Sequence, residues 1–228
     1  MKSAFRMIRW IAIMVPFFLT LAAGAEPLAD QHDLLAKINA AFQQRRVWVS
    51  DFTQEARLPD VGEPVVSRGK VYFQLPDQMR WEFMTPERQL LISDGQTLWF
   101  YDEALRQVMV GQVARMMEAR LMVNLLTNLE RLQQDYRVVV GGAPEENDPR
   151  ILVALEPQTS DAEGKPFTRL QLYFDRLTLQ LVESRMIDLF ANEIIITYAW
   201  NLAAEQDLPA TFFHFSPPPG TDVIPLSQ

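Results

Sequence analysis

Met79-Arg80-Trp81-Glu82-Phe83 and, further on, Leu98-Trp99-Phe100-Tyr101-Asp102 are the stretches on which the fold turns. In the first, apolar residues stand at every second position, the period of a strand with one covered face. Moving outward, the alternation recurs in Tyr136, Val138 and Val140, then in Ile151, Val153 and Leu155. Leu170, Leu172 and Phe174 repeat it, as do Ile194, Ile196 and Tyr198. Turn-forming residues separate these runs at Pro59 to Pro64, Pro76-Asp77, Asp94-Gly95, Gly141-Gly142, Asp148-Pro149, Glu163-Gly164 and Gln206 to Pro209. About eleven strands are therefore predicted between Val47 and Phe215. Short strands joined by tight turns imply antiparallel meanders in a sandwich or a barrel, not the strand-helix alternation of a parallel sheet.

The second stretch is apolar on both faces, with Trp99 and Tyr101 opposing Leu98 and Phe100. Val71 and Phe73 flank Tyr72 in the same way. A strand with one wet face does not read like this. Either protein covers both faces, or one face lines an apolar cavity, as in barrels that hold a small ligand.

Two segments follow a helical period instead. Asp30 is predicted to cap a helix over 30–46, whose residues Leu34, Leu35, Ile38, Ala41 and Phe42 share one side. Gln112 to Leu132 carries Val113, Met116, Met117, Leu121, Leu125, Leu129 and Leu132 at a 3.6-residue period, widened by Met122 and Leu126. Such a methionine-rich stripe is read either as core plugging the open end of a sheet or as a surface that repacks around ligands of variable shape.

The ends of the chain bound where it works. Lys2, Arg6 and Arg9 precede an apolar run from Trp10 to Leu21 and then Ala23-Gly24-Ala25, the three parts of a cleavable secretory signal over 1–25. The apolar run is shorter than the roughly 20 residues a membrane span needs. Residues 26–228 are expected to form a single domain in the periplasm of a Gram-negative bacterium. The chain contains no cysteine, so neither a disulfide nor a lipid on a mature N-terminal Cys is available. Removing three of 21 basic residues with the signal leaves 18 against 29 acidic ones, a charge near −11. Nucleic acid and bare anionic membrane reward the opposite sign.

The parts of common enzymes are missing. His32 and His214 are the only histidines, and neither a P-loop, a G-x-S-x-G elbow, an H-E-x-x-H pair nor a G-x-G-x-x-G loop occurs. Asp94, Asp102 and Glu103 lie beside aromatic residues, but the first is explained by an Asp-Gly hairpin turn and the others by the next turn. His214, between Phe213 and Phe215, reads as a structural imidazole. No enzyme, no cofactor and no metal is expected.

Phe52-Thr53-Gln54, Gly69-Lys70-Val71-Tyr72-Phe73, Pro76, Met79-Arg80-Trp81, Pro86, and Ser93-Asp94-Gly95 running into Leu98-Trp99-Phe100-Tyr101-Asp102 together resemble the LolA family of outer-membrane lipoprotein carriers. Leu155-Glu156-Pro157 and Phe213 to Val223, with Pro218-Pro219-Gly220 and Asp222-Val223, are similar to later signatures of that family. The resemblance implies an unclosed antiparallel β-barrel, mainly β with a helical lid, enclosing an apolar cavity. It also implies a carrier that takes the acyl chains of lipoproteins released by an inner-membrane ABC complex and passes them to an outer-membrane receptor. The expected form is a monomer that makes only transient contacts with membrane proteins. Phe52, Trp81, Phe83, Leu91, Trp99 and Tyr101 are then the candidate cavity walls, and Met116, Met117, Leu121, Met122 and Leu125 the candidate lid. One position departs from the family. Enteric members place an Arg that holds the lid immediately before the proline aligned with Pro76, where this chain has Leu75. A LolA-like carrier of another lipid or glycolipid, or a lipid-sensing binding module, is the alternative reading.

Overall fold

A computed structural model describes residues 28–59, 62–115, 129–134, 136–141, 148–158, 167–204 and 207–226. The described residues open with a helix, α1 (Leu28–Gln43). It begins before the predicted cap, so Asp30 falls in its first turn, and it stops short of Arg46. Leu35, Ile38 and Phe42, the central stripe of the predicted amphipathic face, are buried. At its C-terminal end the Trp48 indole Nε1 donates to the Phe42 carbonyl at 3.0 Å, satisfying one of the carbonyls a helix end leaves without a partner.

Strands follow as β1 (Val47–Arg57), β2 (Val65–Gln74), β3 (Gln78–Thr85), β4 (Gln89–Ser93), β5 (Thr97–Asp102) and β6 (Gln107–Gln112). Further along come β7 (Tyr136–Val140), β8 (Arg150–Pro157), β9 (Arg169–Asp175), β10 (Leu181–Ile187) and β11 (Glu193–Trp200). These are the eleven strands the alternation predicts. A twelfth, β12 (Asp222–Pro225), runs parallel to β6 and lies past the stretch where strands were expected.

All twelve form one sheet in the order β12-β6-β5-β4-β3-β2-β1-β11-β10-β9-β8-β7. The edges β12 and β7 are not paired with each other, so the sheet is unclosed, and every pairing except that of β12 is antiparallel. The register assigns each side chain to a face, because directly opposed residues point the same way. Trp48 opposes Phe73, Phe52 opposes Tyr198, and Trp81 opposes Val71 and Leu91. These residues share the concave face with Val153, Leu155, Leu170 and Leu172, and α1 adds Leu35, Ile38 and Phe42 to the same core.

The second predicted helix divides into described and undescribed parts. Gln112 still opposes Thr97 in the β5-β6 ladder, so it ends a strand and does not start a helix. Val113–Arg115 and Leu129–Gln134 are 3-10 turns, and the rest of the predicted helix, 116–128, lies outside the described residues. So does the turn predicted at Glu163-Gly164. Val113 and Leu132 are buried in the concave core, so the described flanks of this segment are both anchored there.

Candidate functional site

The concave face encloses a cavity of about 270 Å³. From β3 and β4 it is lined by Trp81, Phe83 and Leu91, with Phe73 from β2. Leu170 and Leu172 of β9 and Leu181 and Met186 of β10 face them, and Ile194 and Ile196 of β11 complete the apolar wall. Its polar lining consists of Gln54, Ser184 and Tyr198, together with the indole nitrogen of Trp81, and none of the described lining residues is charged. The sheet curls to produce this. Strands three to six places apart in the order, on either side of β1 and β11, bring their inner residues to one space.

Trp81, Phe83 and Leu91 thus lie together on the cavity wall. Phe52 stands beside them, its ring centroid 4.9 Å from Trp81 and 5.1 Å from Phe83, as part of the same core. Trp99 and Tyr101 do not join them. Trp99 opposes Ile92, and Leu91 opposes Phe100, so β5 turns Leu98 and Phe100 inward and its Trp and Tyr outward. There they form a separate cluster with Ile92 and Val108 on the convex face. The C-terminal segment covers that cluster: His214 packs edge-on against Trp99 at 5.1 Å, and Phe215 lies 5.1 Å from Tyr101. Of the two readings of this doubly apolar strand, cover by protein describes β5: the C-terminal segment lies over one face and Leu98 on the other is buried in the concave core, with no β5 residue among the cavity's described lining. Met116, Met117, Leu121, Met122 and Leu125 lie outside the described residues.

Arg80, four residues after Pro76, reaches the C-terminal segment. Its Nη1 donates to the Phe212 carbonyl at 3.1 Å, its guanidinium lies 4.8 Å over the Phe212 ring, and its Nε donates to Glu82 at 2.6 Å. All of this is convex-face chemistry that fastens the C-terminal segment to β3.

The carboxylates near the aromatic strands serve turns. Asp94 Oδ1 accepts from the backbone N–H groups of Gln96 and Thr97 at 2.9 and 2.7 Å. Asp102 accepts from Leu105 N–H at 2.9 Å and from Gln89 Nε2 at 2.8 Å, and these bonds, the backbone one first, hold its carboxyl below the usual range. Inside the cavity, burial pushes the Tyr198 phenol up to about 12, so it is neutral throughout the physiological range.

The wall contributed by β9 to β11 was only half legible in the residues. Leu170, Leu172, Ile194 and Ile196 stand in the alternation, but nothing in their spacing says that they face Trp81 and Leu91 across a cavity. Ser184 and Met186, from a strand without clean alternation, carried no signal at all.

Among known proteins, the family model described as outer membrane lipoprotein carrier protein LolA matches residues 43–216. An outer-membrane lipoprotein carrier protein of Methylibium petroleiphilum is 32% identical over 206 residues, covering 90% of this chain and 94% of that one. Another, of Chromobacterium violaceum, is 29% identical over 215 residues, covering 92% and 98%. Of solved structures, an uncharacterized conserved protein from Thermus thermophilus aligns with a TM-score of 0.52 at 12% identity, covering 86% of this chain and 99% of that one, a likeness of fold.

Proposed function

Because this chain belongs to the LolA family of outer-membrane lipoprotein carrier proteins, we propose that its cavity takes up the acyl chains of lipoproteins and carries them to the outer membrane without a covalent step. The observation that carries the reading is a cavity whose described lining is almost wholly apolar and carries no charge, on the inner face of an unclosed sheet, lined by the opposed strands β3-β4 and β9-β11. Residues 1–25 export the chain and are removed, and the remainder works in the periplasm. It receives cargo from an inner-membrane ABC complex and delivers it to an outer-membrane receptor.

The energetics favour a carrier whose cavity is not simply empty and waiting. Each buried methylene contributes about 0.8 kcal/mol, so one long acyl chain gains on the order of 10 kcal/mol by leaving water. A ready-made site would hold that chain too tightly to release it. The cavity of about 270 Å³ lies just below the roughly 300–1,000 Å³ of ordinary small-ligand pockets. A lipoprotein's chains must therefore displace protein from the concave face, and that competition lowers net affinity. The segment containing Met116, Met117, Leu121, Met122 and Leu125 is assigned this competing role, since its flanking residues Val113 and Leu132 are rooted in the concave core.

Two measurements test the proposal. Depletion in the native host should leave outer-membrane lipoproteins stranded in the inner membrane, and an unchanged distribution would overturn bulk lipoprotein delivery. The purified mature protein should carry or accept acyl species by native mass spectrometry, and failure to do either would remove the cavity reading itself.

A further inference from the structure

Four polar groups interrupt the apolar cavity wall, and they come from strands on both sides of it. Trp81 is only 3% exposed, and its indole N–H has no hydrogen-bond acceptor among the described residues. Across from it, the Tyr198 and Ser184 hydroxyls lie 3.3 Å apart. Either can donate to the other, and in both cases one hydroxyl proton is left over for a further acceptor. The rings of Trp81 and Tyr198 are near neighbours, 6.3 Å between centroids and inclined by 69°. Gln54, which the Cα register places opposite Ile196 on the same face, adds an amide that can also donate.

An apolar wall with spare donors and no charged group among its described residues has a definite chemical preference. A saturated hydrocarbon fills it but leaves the indole N–H unpaired, which costs binding energy in a dry site. A fatty carboxylate supplies acceptors but must be buried as an anion with no cation among the described lining residues. A neutral carbonyl supplies an acceptor at neither cost. We propose that Trp81, Ser184 and Tyr198, with Gln54, form a carbonyl-binding station for the ester or amide carbonyl at the head of an acyl chain. The cavity then distinguishes acyl derivatives from hydrocarbon and from free fatty acid. This rests on the acyl-carrier reading above, and it adds which part of the ligand is recognised and by which atoms.

Calorimetric titration of the purified mature protein with three ligands of equal chain length, monolauroylglycerol, laurate and dodecane, separates the two claims. Wild type should bind the neutral ester more tightly than either of the others at neutral pH. In Trp81→Phe and in Tyr198→Phe, which keep an aromatic ring in place, the preference for ester over dodecane should fall about two- to tenfold. Ser184→Ala provides a third, smaller perturbation with the same expected direction. If the ester is not preferred, or if the substitutions weaken ester and dodecane in equal proportion, the station is overturned while the acyl cavity stands. If wild type binds none of the three, the acyl-carrier reading fails and the station with it.

Discussion

Gly69 stands where β2 and β3 slip by one residue: Arg68 opposes Thr85 while Gly69 opposes Phe83, leaving Met84 as the extra residue of a bulge. A Cβ at Gly69 would lie 1.9 Å from the Glu82 carbonyl oxygen and 3.0 Å from the Phe52 ring. The obstacle is backbone and cannot swing away, so Gly69→Ala should destabilise the protein by about 1–3 kcal/mol in a denaturant melt. The Gly-Lys-Val-Tyr-Phe motif was visible in the sequence, but the reason for its glycine was not, since the close approach comes from a strand met only in three dimensions. At Asp102 the prediction concerns pH. Its folded carboxyl is held below the usual value, so the unfolded chain binds the extra proton, and the stability it adds is complete above the ordinary carboxylate range near about 4. That contribution is lost as pH falls through the lower folded value. Asp102→Ala should therefore cost about 1–2 kcal/mol at neutral pH, and thermal melts at decreasing pH should show the gap to wild type closing.

Among the elements, β5 shows how far periodicity goes and where it stops. Its doubly apolar character announced that neither face is simply wet, and left open whether protein covers both or one lines a cavity. Alternation divides Trp99 and Tyr101 from Leu98 and Phe100, but parity alone is symmetric: it says which residues share a face, not which face is concave. Pairing with β4 breaks the symmetry and sends Trp99 and Tyr101 under the C-terminal segment. That segment acts as a strap. Phe213 is fully buried, Phe212 packs on Tyr72 at 4.9 Å, and β12 then extends the sheet beyond β6. Phe213→Ala should cost about 3–5 kcal/mol of stability, as for other large buried rings. Binding of an acyl ester, measured well below the melting temperature, should persist, because the strap lies on the face away from the cavity. A parallel loss of binding would mean that the strap shapes the cavity after all. The start of α1 and the role of Gln112 were misplaced for a common reason. Each boundary depends on where a hydrogen-bond ladder ends, and side-chain periodicity carries no record of that.

For the whole molecule, the order of strands turns local alternation into a container. Because β1 and β11 are central neighbours in the sheet, residues far apart in the chain, such as Leu91 and Leu170, come to line one space. The unclosed sheet and its class were legible from strand count, turns and family resemblance. The opposing wall was not, because it depends on which strands become neighbours. The central claim is that acyl chains occupy the concave face and not the convex one. Of the four tryptophans within residues 26–228, Trp81 lines the cavity, whereas Trp99 lies under the strap. The direct measurement is fluorescence of two single-tryptophan proteins, one retaining Trp81 and the other Trp99, titrated with an acyl ester carrying bromine on its chain. Emission from Trp81 should be quenched in a saturable manner while that from Trp99 stays unchanged; quenching of Trp99 alone, or of both to the same extent, would contradict the concave cavity as the carrier's binding site.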